Sequence, residues 1–176
     1  MKPLLAAALF ACAPIALSAC AGFQPLHATP AGQAAFSDLR VEVGQGTDEA
    51  DRQAGFYIRQ ALKERMNAPD MPTYLLRISP QSRRVGIGLT GQDFATRFDG
   101  VVTARWRLVR QADGASVASG TTSGVATYSA DLDPYRLQTT SDQATQRASR
   151  EVANKLLEEI ALTLPRIAAD AATPAP

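Results

Sequence analysis

Apolar side chains recur along this chain in two rhythms, every second residue in some stretches and every third or fourth in others. Leu39-Arg40-Val41-Glu42-Val43 alternates apolar with charged residues, which predicts a first strand with one buried face. Gly44-Gln45-Gly46 interrupts it. A helix is then predicted to begin near Thr47 or Asp48, where Asp48, Glu49 and Asp51 suit the positive helix end. Ala54, Ile58, Ala61, Leu62 and Arg65 share one stripe of that helix, which ends before Asn67-Ala68-Pro69. Tyr74, Leu76 and Ile78 alternate with Leu75, Arg77 and Ser79 in a second strand. Val101 to Arg110 has the clearest alternation, with Val102, Ala104, Trp106 and Leu108 facing one way and Thr103, Arg105 and Arg107 the other. Asp113-Gly114 predicts a hairpin into a fourth strand, Ser116 to Tyr128. Asp131 to Pro134 breaks the chain. A last helix is predicted from about Ser141, burying Ala148, Val152, Leu156, Ile160 and Leu164 and leaving Glu151, Glu158 and Glu159 largely exposed.

The order is β-α-β-β-β-α. An α+β fold with two helices packed on one face of a four-stranded sheet buries every apolar stripe. The folded domain is expected over residues 38–167, with a disordered tail rich in Ala, Pro and Thr over 168–176.

The N-terminus changes the picture. Lys2 precedes an apolar run from Leu4 to Leu17, too short for a permanent span of roughly 20 residues. It reads as a signal peptide over residues 1–19. Leu17-Ser18-Ala19-Cys20 resembles the lipobox of bacterial lipoproteins, which implies lipidation at Cys20 and an anchor facing the periplasm. Ala21 follows where an aspartate would favour inner-membrane retention, so outer-membrane placement is expected. Residues 20–37 then form a lipidated start and a tether.

Loss of Lys2 leaves seventeen basic residues facing seventeen acidic ones, so the balance gives no sign of nucleic-acid binding. Cys12 leaves with the signal and Cys20 carries lipid, so no thiol remains for a disulfide, nucleophile or metal.

Gly86-Ile87-Gly88-Leu89-Thr90-Gly91 has the spelling of a dinucleotide motif, which needs a helix directly after it. The next residues lead into the Trp106 strand, so a flexible connection between strands is the better reading. His27, the sole histidine, lies in the tether, and Asp131 and Asp133 flank Pro134 as turn residues. No catalytic, cofactor or metal set emerges, and the chain is expected not to be an enzyme. Arg77, Arg83, Arg84, Arg105 and Arg107, with Arg110, cluster on the central strands and their loop. They are candidate contacts for an anionic lipid, since guanidinium forks match phosphate geometry. A solvated outer face is the alternative.

Gly22-Phe23-Gln24-Pro25-Leu26-His27, just after the lipidated cysteine, resembles the Cys-Gly-Phe-x-Pro-Leu-Tyr start of the LPS-assembly lipoprotein family, LptE. The early helix, the Trp106 strand, the small-residue strand ending in Tyr128 and the close in Leu164-Pro165-Arg166-Ile167 follow the family's order. Ala21 is an insertion, and His27 replaces the usual tyrosine. The resemblance implies a plug inside the outer-membrane β-barrel LptD that supports its assembly and helps deliver lipopolysaccharide to the outer leaflet. The runner-up is an auxiliary lipoprotein of a phospholipid or solvent-resistance ABC transport system.

Overall fold

The computed structural model describes residues 36–66, 70–89, 95–130 and 133–172. Its elements run β1 (Leu39–Val43), α1 (Glu49–Lys63), β2 (Tyr74–Leu89), β3 (Ala95–Arg110), β4 (Ser116–Ser129) and α2 (Pro134–Ala172). The strands form one sheet in the order β1-β2-β3-β4, with β1 parallel to β2 and the other pairs antiparallel. Both helices pack on one face, which makes this the expected α+β fold. Leu39, Ile58, Leu76, Ile78, Val102, Leu108, Val152, Leu156 and Ile160 form the buried centre between the layers. Arg65 departs from its expected stripe: it is exposed and donates to Asn154 of α2.

Asp48 caps α1, its carboxylate accepting from the Asp51 amide at 2.8 Å. Asp51 itself is a buried joint between helix and sheet. Its carboxylate accepts from the Thr47 hydroxyl at 2.8 Å, the Thr47 amide at 3.1 Å and the Ser82 amide of β2 at 2.6 Å. The last bond answers a topological problem. Tyr74 and its alternate neighbours on β2 donate toward β1, but β1 ends at Val43, opposite Ile78. The next donor position is Pro80, which has no N–H to satisfy, and the one after is Ser82, which Asp51 satisfies. Burial pushes the Asp51 carboxyl upward. The hydrogen bonds from the Thr47 side chain and from the Thr47, Ser82 and Asp48 backbones outweigh it, and the group lies below its ordinary value. Gly46, at φ 72°, is required here, since a side-chain carbon on it would stand 2.2 Å from Asp51 Cβ.

β4 is built of small residues because two bulky things lie on it. Trp106 crosses Gly120, where an added Cβ would come within 2.7 Å of the indole, and α2 crosses Gly124, where it would meet the Ala148 carbonyl oxygen at 2.3 Å. Trp106 Nε1 and the Thr122 hydroxyl both donate to Glu159 of α2, at 2.9 and 2.8 Å, so Glu159 is half-buried. The outer edge of β4 is tied to the same helix. Lys155 donates to the Ser123 carbonyl at 2.9 Å, the Val125 amide to Glu151 at 3.2 Å, and Arg147 to the Thr127 carbonyl at 3.5 Å.

Four further expectations change. β2 and β3 are longer than predicted, so Gly86 to Leu89 belong to a strand and not to a flexible connection; Thr90 and Gly91 lie outside the described residues. α2 starts at Pro134, not Ser141. Proline suits a first helical turn, and the Asp133 carboxylate accepts from the Tyr135 amide at 2.9 Å. The turn role expected for Asp133 thus becomes a helix cap, while Asp131 lies outside the described residues. α2 also continues to Ala172, so the tail expected from Ala168 begins as helix.

Candidate functional site: the open face of the sheet

Because both helices cover one face, every second residue of the strands projects from the other. In register across the sheet, Glu42, Arg77, Arg107 and Ser119 form one row, and Ser79, Arg105 and Thr121 form the next. Two like charges directly opposite one another, as Arg77 and Arg107 are, destabilise an antiparallel pair unless an anion lies between or beside them. Glu42 supplies part of that, 3.5 Å from the Arg77 Nε. Arg105 donates to the Gln81 side chain at 2.8 Å. The Arg107 side chain has no hydrogen-bond or ion-pair partner among the described residues. Arg77, Arg105 and Arg107, with Ser79, Ser119 and Thr121, line a broad depression of about 650 Å³.

Toward the β2–β3 turn the face changes character. A row of Gln81, Thr103 and Ser123 is followed by Arg83, Val101 and Val125, then by Val85, Asp99 and Thr127. Val125 is 48% exposed although apolar. Arg107 and Val101 are six residues apart on one strand, or about 20 Å. A cationic, hydroxyl-rich end and a partly apolar end therefore share one surface. Such a surface has the chemistry to hold phosphate groups at one end and hydrocarbon at the other.

Arg77, Arg83, Arg105 and Arg107 thus come together on the open face, but Arg84 does not. It points to the helix side, over the rings of Phe98 (5.4 Å) and Tyr128 (6.0 Å), and donates to Ser141 of α2 at 3.3 Å. The period of two explains the split, since neighbours on a strand face opposite ways. Arg110 is drawn into the hairpin by Asp113 at 3.0 Å, and Asp113 lies below its ordinary value chiefly through the Ala115 amide. Sequence reasoning missed Arg97, which the same alternation places on the open face, because β3 was begun at Val101. Cys20 and His27 lie outside the described residues. Among the described residues no group of three or more His, Cys, Asp or Glu is placed to hold a metal, and no helix is long and apolar enough to cross a membrane.

No family model matches the chain, and no curated protein matches it. Solved structures do share its fold. A protein of Caulobacter crescentus CB15 assigned to the lipoproteins matches with a TM-score of 0.60 at 24% identity, over 76% of this chain and 96% of its own. The uncharacterized lipoprotein B of Nitrosomonas europaea matches with a TM-score of 0.56 at 10% identity, over 77% of this chain and 88% of its own.

Proposed function

We propose that this chain is an outer-membrane lipoprotein, anchored through Cys20, that fills and supports the LPS-export β-barrel LptD and helps pass lipopolysaccharide to the outer leaflet. The observation that carries the reading is the open sheet face, where unpaired Arg107 stands beside Arg77 and Arg105 in a hydroxyl-lined depression. The anchor segment Cys20 to Leu26 supports the choice of family, and the fold shared with bacterial lipoproteins is compatible with it.

Physically, a plug needs a surface that a polar barrel lumen will accept. A near-neutral domain with mixed charges meets that need without large repulsion. The acyl anchor keeps the domain at the barrel mouth, raising its effective concentration there. The arginines of the open face contact lipid phosphates and the valines contact acyl chains, so the role is binding and scaffolding without catalysis.

The test is to tag the C-terminus, extract the outer membrane in mild detergent and identify what co-purifies. A large β-barrel in roughly equal amount is the expected result. Inner-membrane transporter subunits without a barrel would move the protein to the ABC-transport reading. Arg77→Glu combined with Arg107→Glu should leave folding intact and lower binding of lipopolysaccharide by the purified chain.

A further inference from the structure

The helix side of the molecule carries a second cationic surface, on the outer face of α1. Arg52, Phe56, Arg59 and Lys63 follow one another at steps of four, three and four residues, so they share one stripe of the helix, and all four are exposed. Phe56 is 58% exposed and stands edge-on to Tyr57, the ring centroids 5.5 Å apart. A lone exposed phenylalanine needs no explanation, but three cations flank this one along its own stripe.

Beside the stripe, between α1 and β1, lies an apolar recess of about 140 Å³ lined by Leu39, Val41, Leu62 and Met66, of which Val41 and Met66 are half-buried. An apolar cavity of about that size can hold a benzene-sized group. Arg40, Arg59 and Lys63 stand at its rim with no acidic side chain among them. Arg59 donates one N–H to the Val43 carbonyl at 2.8 Å, while the Arg40 and Lys63 side chains have no hydrogen-bond or ion-pair partner among the described residues. Arg52, by contrast, is paired with Glu49. The uncompensated charge therefore gathers around the recess, at the C-terminal half of α1. Three like charges there repel one another until an anion joins them.

We propose that this face of α1 rests on an anionic phospholipid bilayer, Phe56 entering the headgroup layer while Arg40, Arg59 and Lys63 contact lipid phosphates. An aromatic ring set among cations is a composition that lodges at a membrane interface. The bilayer is within reach, since Cys20 lies 39 − 20 = 19 residues before Leu39, at most about 65 Å of chain, and β1 adjoins α1 at the recess. An acyl anchor at that distance keeps the lipid surface at high effective concentration, which favours it over an acidic protein in solution. A second copy of this chain would meet the face with charge of the same sign. The proposal takes the Cys20 anchor from the reading above and needs no barrel. It turns the open face of the sheet, on the far side from α1, away from the bilayer.

The test places the full acylated chain in nanodiscs of phosphatidylcholine, alone or mixed equally with phosphatidylglycerol, each with a trace of lipid bearing a paramagnetic headgroup. Amide broadening is read by NMR. The expected result is that the amides from Phe56 to Lys63 broaden at least about threefold more in the mixed discs, that Arg107 and Thr121 do not, and that the difference fades as salt rises. Arg40→Glu combined with Lys63→Glu should cancel the difference, since each cation near an anionic surface accounts for about fivefold in affinity. Phe56→Ser should reduce it. Equal broadening in both discs would overturn the proposal, as would broadening of the open face in place of α1. No broadening in either disc would overturn it and leave the face to an acidic protein. Changes at α1 that grow with protein concentration in lipid-free detergent would assign it to a second copy and overturn it equally. A chain whose mass shows no acyl group would refute the anchor alone. The full chain carrying Cys20→Ser, mixed with excess discs, should still show the α1 difference, and its absence there would also overturn the proposal.

Discussion

Asp51 offers the sharpest test of how this fold is held, because one carboxylate closes both a helix start and an interrupted sheet. Replacing it with alanine removes three hydrogen bonds. The Thr47 donors are exposed and turn to water, so their loss is partly recovered. The Ser82 amide is half-buried, two residues past Pro80, and donates to Asp51. An orphaned donor costs about 1–3 kcal/mol and a bond to a charged group contributes about 1.5–3, so Asp51→Ala should lose about 3 kcal/mol. Asp51→Asn keeps the shape but turns an N–H toward one of its donors, and should lose about 2 kcal/mol. Urea unfolding followed by the fluorescence of Trp106, the sole tryptophan, measures both. The acidity dependence gives a second handle. Asp51 is more acidic folded than unfolded, so it stabilises fully above the ordinary carboxyl value of 3.8, and that contribution drains away as pH falls below it. The gap between wild type and Asp51→Asn should therefore be widest near neutrality and shrink on acidification. A loss under about 0.5 kcal/mol for the alanine variant, or a gap indifferent to pH, would refute the reasoning.

Three further outcomes are expected. Gly124→Val should destabilise by more than about 2 kcal/mol in urea melts, since α2 cannot approach β4 past a side chain there. Glu159→Leu should cost about 1–3 kcal/mol and alter Trp106 emission, because the indole N–H and the Thr122 hydroxyl both lose their acceptor. Arg107→Ser should leave the melting temperature within about 1–2 °C of wild type, since the side chain has no partner to lose, while weakening retention on lipopolysaccharide-coated resin.

Most of the fold was legible because its elements bury one face and expose the other. Val102 to Leu108 and Ala148 to Leu164 announce a strand and a helix by period alone, and both sets are buried as expected. The first turns of α2 were not legible for the converse reason. From Pro134 to Thr140 only Leu137 packs against the core, so no stripe signals a helix. The Thr139 and Thr140 hydroxyls bond back to the Tyr135 and Arg136 carbonyls, a habit of residues with modest helix preference. The far half of β2 was hidden by Pro80 and the two glycines, which read as strand breakers until the missing β1 neighbour is seen. The candidate site was legible as a composition but not as a surface. Sequence collected the arginines, and only the pleat separates Arg84 from Arg83.

The ties from Arg147, Glu151 and Lys155 to β4 also set the valence of the sheet. A sheet with two free edges is bifunctional and can propagate, each added unit presenting a new end. Here α2 has already terminated one end with its own side chains, and the Lys155 hydrogen bond in turn holds the Glu151 carboxyl below its ordinary value, which favours the charged acceptor form. With that end closed, the sheet cannot extend from both edges, and strand addition at β4 of the kind that propagates a fibre is blocked.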